Sequence, residues 1–399
     1  MDIEQIRADT PALAEIVYMN AAGAAISPEP IYNAMVFMLD EEARIGGYHT
    51  HNKYKEELEI DLYASVAKLI NAKPSEIAIV ENATIAWQKV FYSLALTWQA
   101  GDIILSSTLE YGANLVAFMH VKKLYGIETI VIPDNEHGEV DVDALDAQIE
   151  DLKSAGKNPV LIAISHMPSN NGLVQPAETI GKIANKHKII YLLDACQSIG
   201  QYPVNVKKIG CDYLTTTSRK FLRGPRGNGF LYASSQQLET IEPNTLDFFG
   251  AELDGANNYN LRKDARRFED WENAYALRAG LHAACDYALD LGMHKIWKRS
   301  QIVSIKLRKA IAEIPNMHIA DLGTIKSSII TCYHETKSSK QIRAFLEEEK
   351  IHLTLAGDHS APWDGEKRKL PEKLRFSPHY YNNENDMDKL IEILKIAIQ

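Results

Sequence analysis

The sequence predicts an α/β chain in which a large, mostly parallel sheet lies between helices and a smaller α+β layer follows. Three observations predict it. Strand-like and helix-like segments alternate from Glu76 to Tyr232. The strand-like runs, such as Ile189-Ile190-Tyr191-Leu192-Leu193, are apolar throughout instead of alternating, which suits strands buried on both faces. Past residue 262 the order changes to long helices followed by short, scattered strands.

Taken in order, residues 76–80 read as a strand and 84–97 as a helix. Residues 102–106 are the next strand, with a helix through 115–124. Residues 127–132, 160–165 and 189–193 repeat the strand pattern, with helices through 142–152 and 177–186 between them. The β-rich run 213–217 leads through a stiff Gly- and Pro-containing turn to a strand at Phe230-Leu231-Tyr232. Helices are then expected at 267–291 and 295–314, a strand at 327–333 and a helix at 339–349. Strands near 351–356 and 374–377 and a last helix at 385–398 complete the chain. The expected division is a large domain of residues 20–262 and a small one of residues 1–19 with 263–399. The polar stretch 357–373 is long enough to be a lid or channel wall.

At 399 residues, 46% of them apolar and 24% charged, the chain can bury a sizeable core and is not disordered. Its 43 basic and 53 acidic residues give a formal charge of −10, which argues against nucleic acid or an anionic membrane as partner. The first residues lack the pattern of a signal peptide, and no apolar run reaches transmembrane length. Four cysteines, at 196, 211, 285 and 332, lack the spacing of a disulfide framework or a zinc cluster. A cytoplasmic location is the expectation.

Two segments carry the chemistry. Tyr191-Leu192-Leu193-Asp194-Ala195-Cys196-Gln197 delivers an acid at the carboxyl end of a strand, and Thr217-Ser218-Arg219-Lys220 delivers two cations side by side. A lysine desolvated beside another cation loses proton affinity and becomes a usable amine, and a carboxylate at a neighbouring strand end suits a pyridinium nitrogen. Together they suggest a pyridoxal 5'-phosphate (PLP) site, with Lys220 carrying the cofactor and Asp194 facing its ring nitrogen. Each residue has a plainer reading: a surface lysine for Lys220, a helix cap for Asp194. Gln197 is placed to reach the ring hydroxyl. The helix start Asn82-Ala83-Thr84 offers backbone N–H groups and a hydroxyl to a phosphate, or is simply an N-cap. Tyr111 is able to stack on a flat ring or merely to pack. Arg375, flanked by strand formers in Leu374-Arg375-Phe376, suits a carboxylate or a structural ion pair. The pair His49-Thr50-His51, next to Gly46-Gly47, reads as a loop and is assigned no metal role.

Asp194-Ala195-Cys196-Gln197 and Thr217-Ser218-Arg219-Lys220-Phe221-Leu222-Arg223-Gly224-Pro225 resemble the class V aminotransferase-like branch of fold-type I PLP enzymes. That branch includes cysteine desulfurases, selenocysteine lyase, isopenicillin N epimerase and hercynylcysteine sulfoxide lyases. The resemblance runs from Tyr18-Met19-Asn20-Ala21-Ala22-Gly23 to residues 375–382 and the last helix. It implies a seven-stranded type of sheet and a homodimer. It implies that Lys220 holds the cofactor, Asp194 pairs with the ring nitrogen, and Gln197 with Ser169 or Asn170 lies at the ring oxygen. Tyr111 would stack on the ring. Thr84, Ala83, Thr217 and Arg219 would grip the phosphate, and Arg375 with Asn20 would bind an amino-acid carboxylate.

Three departures bear on the reaction. Desulfurases carry a nucleophilic cysteine on the loop before the carboxylate-binding arginine, whereas residues 357–373 contain none. The stretch Arg266-Arg267-Phe268-Glu269-Asp270-Trp271-Glu272 lacks the Gly-Thr with which some relatives reach a neighbouring subunit's phosphate. Ala83 stands where desulfurases often have a hydroxyl. The expected activity is therefore carbon–sulfur bond cleavage by β-elimination from a cysteine S-conjugate or its sulfoxide. It would give pyruvate, ammonia and a thiol or sulfenate. An aminotransferase, an amino-acid epimerase and a PLP-binding regulatory protein are the alternatives.

Overall fold

The computed structural model describes residues 1–399. Its centre is a sheet of seven strands: β1 (Ile77–Val80), β2 (Ile103–Ser106), β3 (Glu128–Val131), β4 (Pro159–Ser165), β5 (Ile190–Asp194), β6 (Tyr213–Thr217) and β7 (Gly229–Ala233). Their spatial order is β1-β7-β6-β5-β4-β2-β3. The pairs β2/β3, β2/β4, β4/β5 and β5/β6 are parallel, and β7 runs antiparallel to both β6 and β1. The reversal into β7 is made by a tight turn in which Arg223 and Gly227 take positive φ. Gly229 then lets β7 lie close to β6, because a Cβ there would stand 2.3 Å from the Thr216 carbonyl.

The apolar runs do what their composition suggests. Along β5, Tyr191 and Leu193 enter one core while Leu192 enters the other; along β4, Ile162 and Ile164 oppose Leu161 and Ala163 in the same way. Burial on both faces leaves only the strand ends for chemistry. Helix Tyr275–Leu291, assigned by sequence to the C-terminal layer, packs on helices Glu29–Ile45 and Leu62–Ile70. Its Leu281, Ala284, Cys285 and Ala288 sit in the larger core.

The C-terminal layer is a four-stranded antiparallel sheet of β8 (Met317–Ile319), β9 (Ile330–His334), β10 (Thr354–Ala356) and β11 (Lys373–Phe376), ordered β8-β9-β11-β10. Residues near the N-terminus are stitched to this end of the chain. Val17 and Tyr18 pair with Ile351 and His352, and Asn20 bridges Ser377. That stitching brings Asn20 beside β11.

Four expectations need correction. The helix expected from residue 267 begins at Tyr275. Upstream, Glu269 turns inward, and its carboxylate accepts from the Tyr63 hydroxyl (2.7 Å), the Ile79 N–H (2.9 Å) and Arg278. Residues 351–356 form two short strands in different sheets, because consecutive pairings run to the N-terminal segment and to β11. The stretch 357–373, expected to be a polar loop, contains a helix, Pro362–Arg368, whose Trp363 ring lies 6.5 Å from that of Phe118. The histidine pair at 49 and 51 is helical, with His51 stacked on Tyr275 and 2.8 Å from Glu59.

Candidate active site

Side chains with chemistry converge at the carboxyl ends of β4, β5 and β6, where open α/β sheets bind ligands. Asp194 closes β5, level with Ser165 on β4 and Thr215 on β6. Its Oδ1 accepts from the Cys196 N–H at 2.9 Å, which fixes the carboxylate relative to its own strand. Lys220 follows three residues after β6. Burial pushes its ammonium pKa down; Cys196 and Asp194 oppose that, while Arg219 and Arg375 reinforce it. An amine lowered in this way is a better nucleophile and base near neutrality.

Arg375 lies on β11, opposite Thr331 and Thr354 in register. Its Nη1 donates to the Ser169 carbonyl at 2.9 Å and its Nη2 to Asn20 Oδ1 at 3.4 Å. Burial lowers its pKa to about 10, with Tyr111 opposing and Arg219 adding to the shift. Arg219 donates to the Gly23 carbonyl and is itself lowered by burial and by Arg226. Tyr111 precedes helix Gly112–Tyr125, and burial followed by the Asp194 charge raises its hydroxyl. The electrostatic partners of Lys220, Tyr111 and Arg375 are thus largely one another, so the fold brings Lys220, Asp194, Tyr111, Arg219 and Arg375 into one cluster.

The remaining candidates are distributed around it. Gln197 Nε2 donates to the Ala22 carbonyl at 3.2 Å. Ser169 joins through its carbonyl, with Asn170 buried beside it. Thr217 ends β6 with its hydroxyl 3.4 Å from the Asn228 carbonyl. Ala83 and Thr84 open helix Ala83–Ala95, which packs on β6 and β7; no hydrogen bond joins them to the cluster, and Thr84 is exposed. Sequence reading passed over Glu110 and Asn114. Glu110 is buried, with Ser165 Oγ donating at 2.6 Å and Asn114 Nδ2 at 2.8 Å. No local pattern marks them: Glu110 lies outside helix Gly112–Tyr125, and only the fold brings the Asn114 amide and Ser165 against its carboxylate.

Four polar atoms among these residues are left open. Gln197 Oε1, both polar side-chain atoms of Asn170 and Arg375 Nε are buried without a partner in the protein. Unpaired buried polar groups are costly, and these offer both donors and acceptors next to a base and a carboxylate. A polar aromatic cofactor bearing an anionic group suits that set. Elsewhere, Asp146, Glu150 and His187 gather their ligand atoms within 4.8 Å, but the Lys186 ammonium already lies 2.7 Å from Asp146 and 3.1 Å from Glu150. That grouping is an ion-pair network.

The aminotransferase class-V family model matches residues 16–390. The chain belongs to the aminotransferase class-V family. A probable cysteine desulfurase of Pyrococcus abyssi is 25% identical over 404 residues, spanning 99% of this chain and 98% of that protein. Among solved structures, cysteine desulfurase CsdA of Escherichia coli superposes with a TM-score of 0.90 at 22% identity, over 100% of this chain and 98% of that one. The cystine C–S lyase C-DES, in complex with cysteine persulfide, gives 0.85 at 22% identity over 97% and 99%. The structural likenesses establish the fold. This class-V chain is a PLP-dependent enzyme of the carbon–sulfur lyase kind. No helix in it is long and apolar enough to cross a membrane.

Proposed function

We propose that this carbon–sulfur lyase acts by β-elimination on a cysteine S-conjugate or its sulfoxide. Water is consumed, and pyruvate, ammonia and a thiol or sulfenate leave. The observation that carries the reading is the state of the four cysteines. Cys211, Cys285 and Cys332 are buried in the cores, and burial raises each thiol. Cys196 is also raised, by burial and then by Asp194. None lies in 357–373, the segment leading to Arg375. Carrying a persulfide requires a thiolate; none of the four leads into Arg375, and Cys196, the one beside Lys220, has its thiol raised by burial. A thiolate or sulfenate that departs from the substrate unaided needs none.

The roles follow from the chemistry of the side chains. Arg375 and Asn20 would hold the substrate carboxylate, the guanidinium turning its spare donors toward it. PLP, when bound, supplies an electron sink that acidifies the substrate's α-proton. Lys220 would bind the cofactor aldehyde and, once displaced by substrate, take that proton at Nζ. Asp194 would keep the ring nitrogen protonated, with Tyr111 stacked on the ring and Gln197, Ser169 or Asn170 at the ring oxygen. Arg219, Thr217 and the Ala83–Thr84 helix start would hold the phosphate.

The remaining proposals concern assembly. The domain division expected at residues 20–262 against 1–19 with 263–399 is one of them, with helix Tyr275–Leu291 moved to the large domain because its Leu281, Ala284, Cys285 and Ala288 sit in the larger core; a cytoplasmic location is a second. A homodimer is another, supported by an apolar groove of about 430 Å³ lined by Leu246, Phe248, Ala251, Leu253 and Tyr259. The test of the activity is incubation of holoenzyme with a panel of cysteine S-conjugates and sulfoxides, assaying pyruvate and alanine together. Pyruvate formed in step with free thiol is expected. Racemisation alone, or amine transfer that depends on an added keto acid, would sink the proposal.

A further inference from the structure

Behind the cluster stands an acid to which the proposed chemistry gives no task. The Glu110 carboxylate is fully enclosed and faces five donors. These are the Ser165 N–H (2.8 Å), Ser165 Oγ (2.6 Å), the Tyr111 N–H (2.9 Å), Asn114 Nδ2 (2.8 Å) and Ser106 Oγ (3.3 Å). The Ser106 hydroxyl also lies 2.8 Å from the Ala163 carbonyl and has one proton to share between them. Glu110 thus ties together β2, β4 and the start of helix Gly112–Tyr125. A carboxylate gathering that many donors is a fixed anchor.

Two of its contacts point at cofactor contacts. Tyr111 follows it directly and donates its backbone N–H to it, so the direction in which the phenol ring leaves the chain depends on Glu110. Asn114 Nδ2 has two hydrogens. One is given to Glu110 Oε1, and the same nitrogen lies 3.5 Å from Asp194 Oδ2. The amide therefore stands between two carboxylates, one behind the site and one within it. We propose that Glu110 is a positioning residue that acts through Asn114 on Asp194 and through its own backbone neighbour on Tyr111, setting how strongly the bound cofactor holds its proton. The inference rests on reading Asp194 and Tyr111 as cofactor contacts.

The surroundings are those of an acid whose charge is held in check. Burial raises Glu110 to about 7, against the lowering effect of Ser165 and with Asp194 adding to the rise. From β5 it is faced by Asp194 and by the buried Tyr191 phenol, from β4 by Ser165 and from β2 by Ser106. On its own segment it meets Tyr111 and Asn114. Near neutrality its ionisation adds a negative charge one amide away from Asp194, which favours a protonated cofactor.

The test is the pH titration of the visible absorption of holoenzyme, with bound PLP counted per chain. Glu110→Gln keeps the shape and one accepting oxygen, turns the other position into a donor, and removes the charge. It is expected to move the titration midpoint down by about one pH unit. In an Asn114→Ala background the same change is expected to move it by less than roughly half as much, because the bridge is gone. A PLP-loaded Glu110→Gln protein with the parent's midpoint overturns the proposal, as does a full shift retained without Asn114. If Glu110→Gln does not fold, Asn114→Ala alone decides: a midpoint displaced by roughly half a unit with unchanged circular dichroism supports the relay, and an unmoved one overturns it. A Lys220→Ala protein that retains the parent's visible titration would instead overturn the underlying site assignment. The midpoint is read independently of turnover, so the two failures are distinguishable.

Discussion

Two arginines, one half-buried on β11 and one buried in the turn after Lys220, carry the same charge and lead opposite lives. Arg223 has every part of its guanidinium engaged. It donates to the Ile26 carbonyl (2.9 Å), Thr10 Oγ1 (2.6 Å) and the Tyr380 hydroxyl (3.1 Å), and lies over the rings of Tyr287, Tyr380 and Tyr381. Burial works against its charge, but the tyrosines outweigh burial and its pKa is raised. Arg375 has Nε unpaired, one long contact to Asn20, and a pKa lowered to about 10. The two side chains differ in completeness: the protein engages each nitrogen of Arg223, whereas Arg375 keeps its Nε without a partner.

That contrast can be broken in graded ways. The largest effect is expected at the centre of the cluster: Lys220→Ala should lower the rate of pyruvate release by at least about 10⁴-fold. Thermal unfolding of this variant without cofactor should be close to that of the parent, measured by scanning calorimetry. Next, Arg375→Met should cut kcat/KM by roughly 100-fold, about 3 kcal/mol, with the loss read in steady-state kinetics on any accepted substrate. Arg223→Met should do the reverse. It leaves the Ile26 carbonyl and the Tyr380 hydroxyl unpaired in the interior, so denaturant titration should show a loss of about 2 kcal/mol while the cofactor spectrum persists. If Arg375→Met unfolded the chain and Arg223→Met abolished carboxylate binding, the distinction would be void.

The smallest expected effect concerns a neighbour that avoids charge altogether. His166, one residue past β4, has its Nδ1 2.8 Å from Ser198 Oγ, and burial lowers its pKa to about 4. Between pH 6.5 and 4 the unfolded chain binds a proton there that the folded chain refuses, so this group costs stability as pH falls through that window. The slope should be about 1 kcal/mol per pH unit between pH 6 and 5, and His166→Asn should flatten it in denaturant titrations at the two pH values.

The elements of the central sheet were legible because their signal is local. Apolar runs such as Ile189 to Leu193 admit few environments other than a doubly covered strand, and the observed strand Ile190–Asp194 differs by one residue at each end. The expected helix over 267–274 failed for a long-range reason. Glu269 is satisfied by Tyr63 and Ile79, some 200 residues earlier in sequence, and no local pattern encodes such a demand. The split of residues 351–356 failed likewise, since each half answers to a different partner strand.

Within the site, Lys220 and Asp194 announced themselves through residue type and position at strand ends. Glu110 did not, because a glutamate before a helix reads as a surface residue until Ser165 and Asn114 are seen to close over it. Short-range pattern and side-chain chemistry were enough for the sheet and the family, and they singled out Lys220, Asp194 and Arg375 as candidates. Which of these charges the protein itself completes emerged from the fold alone, because satisfaction of a polar group is a property of distant segments meeting in the interior.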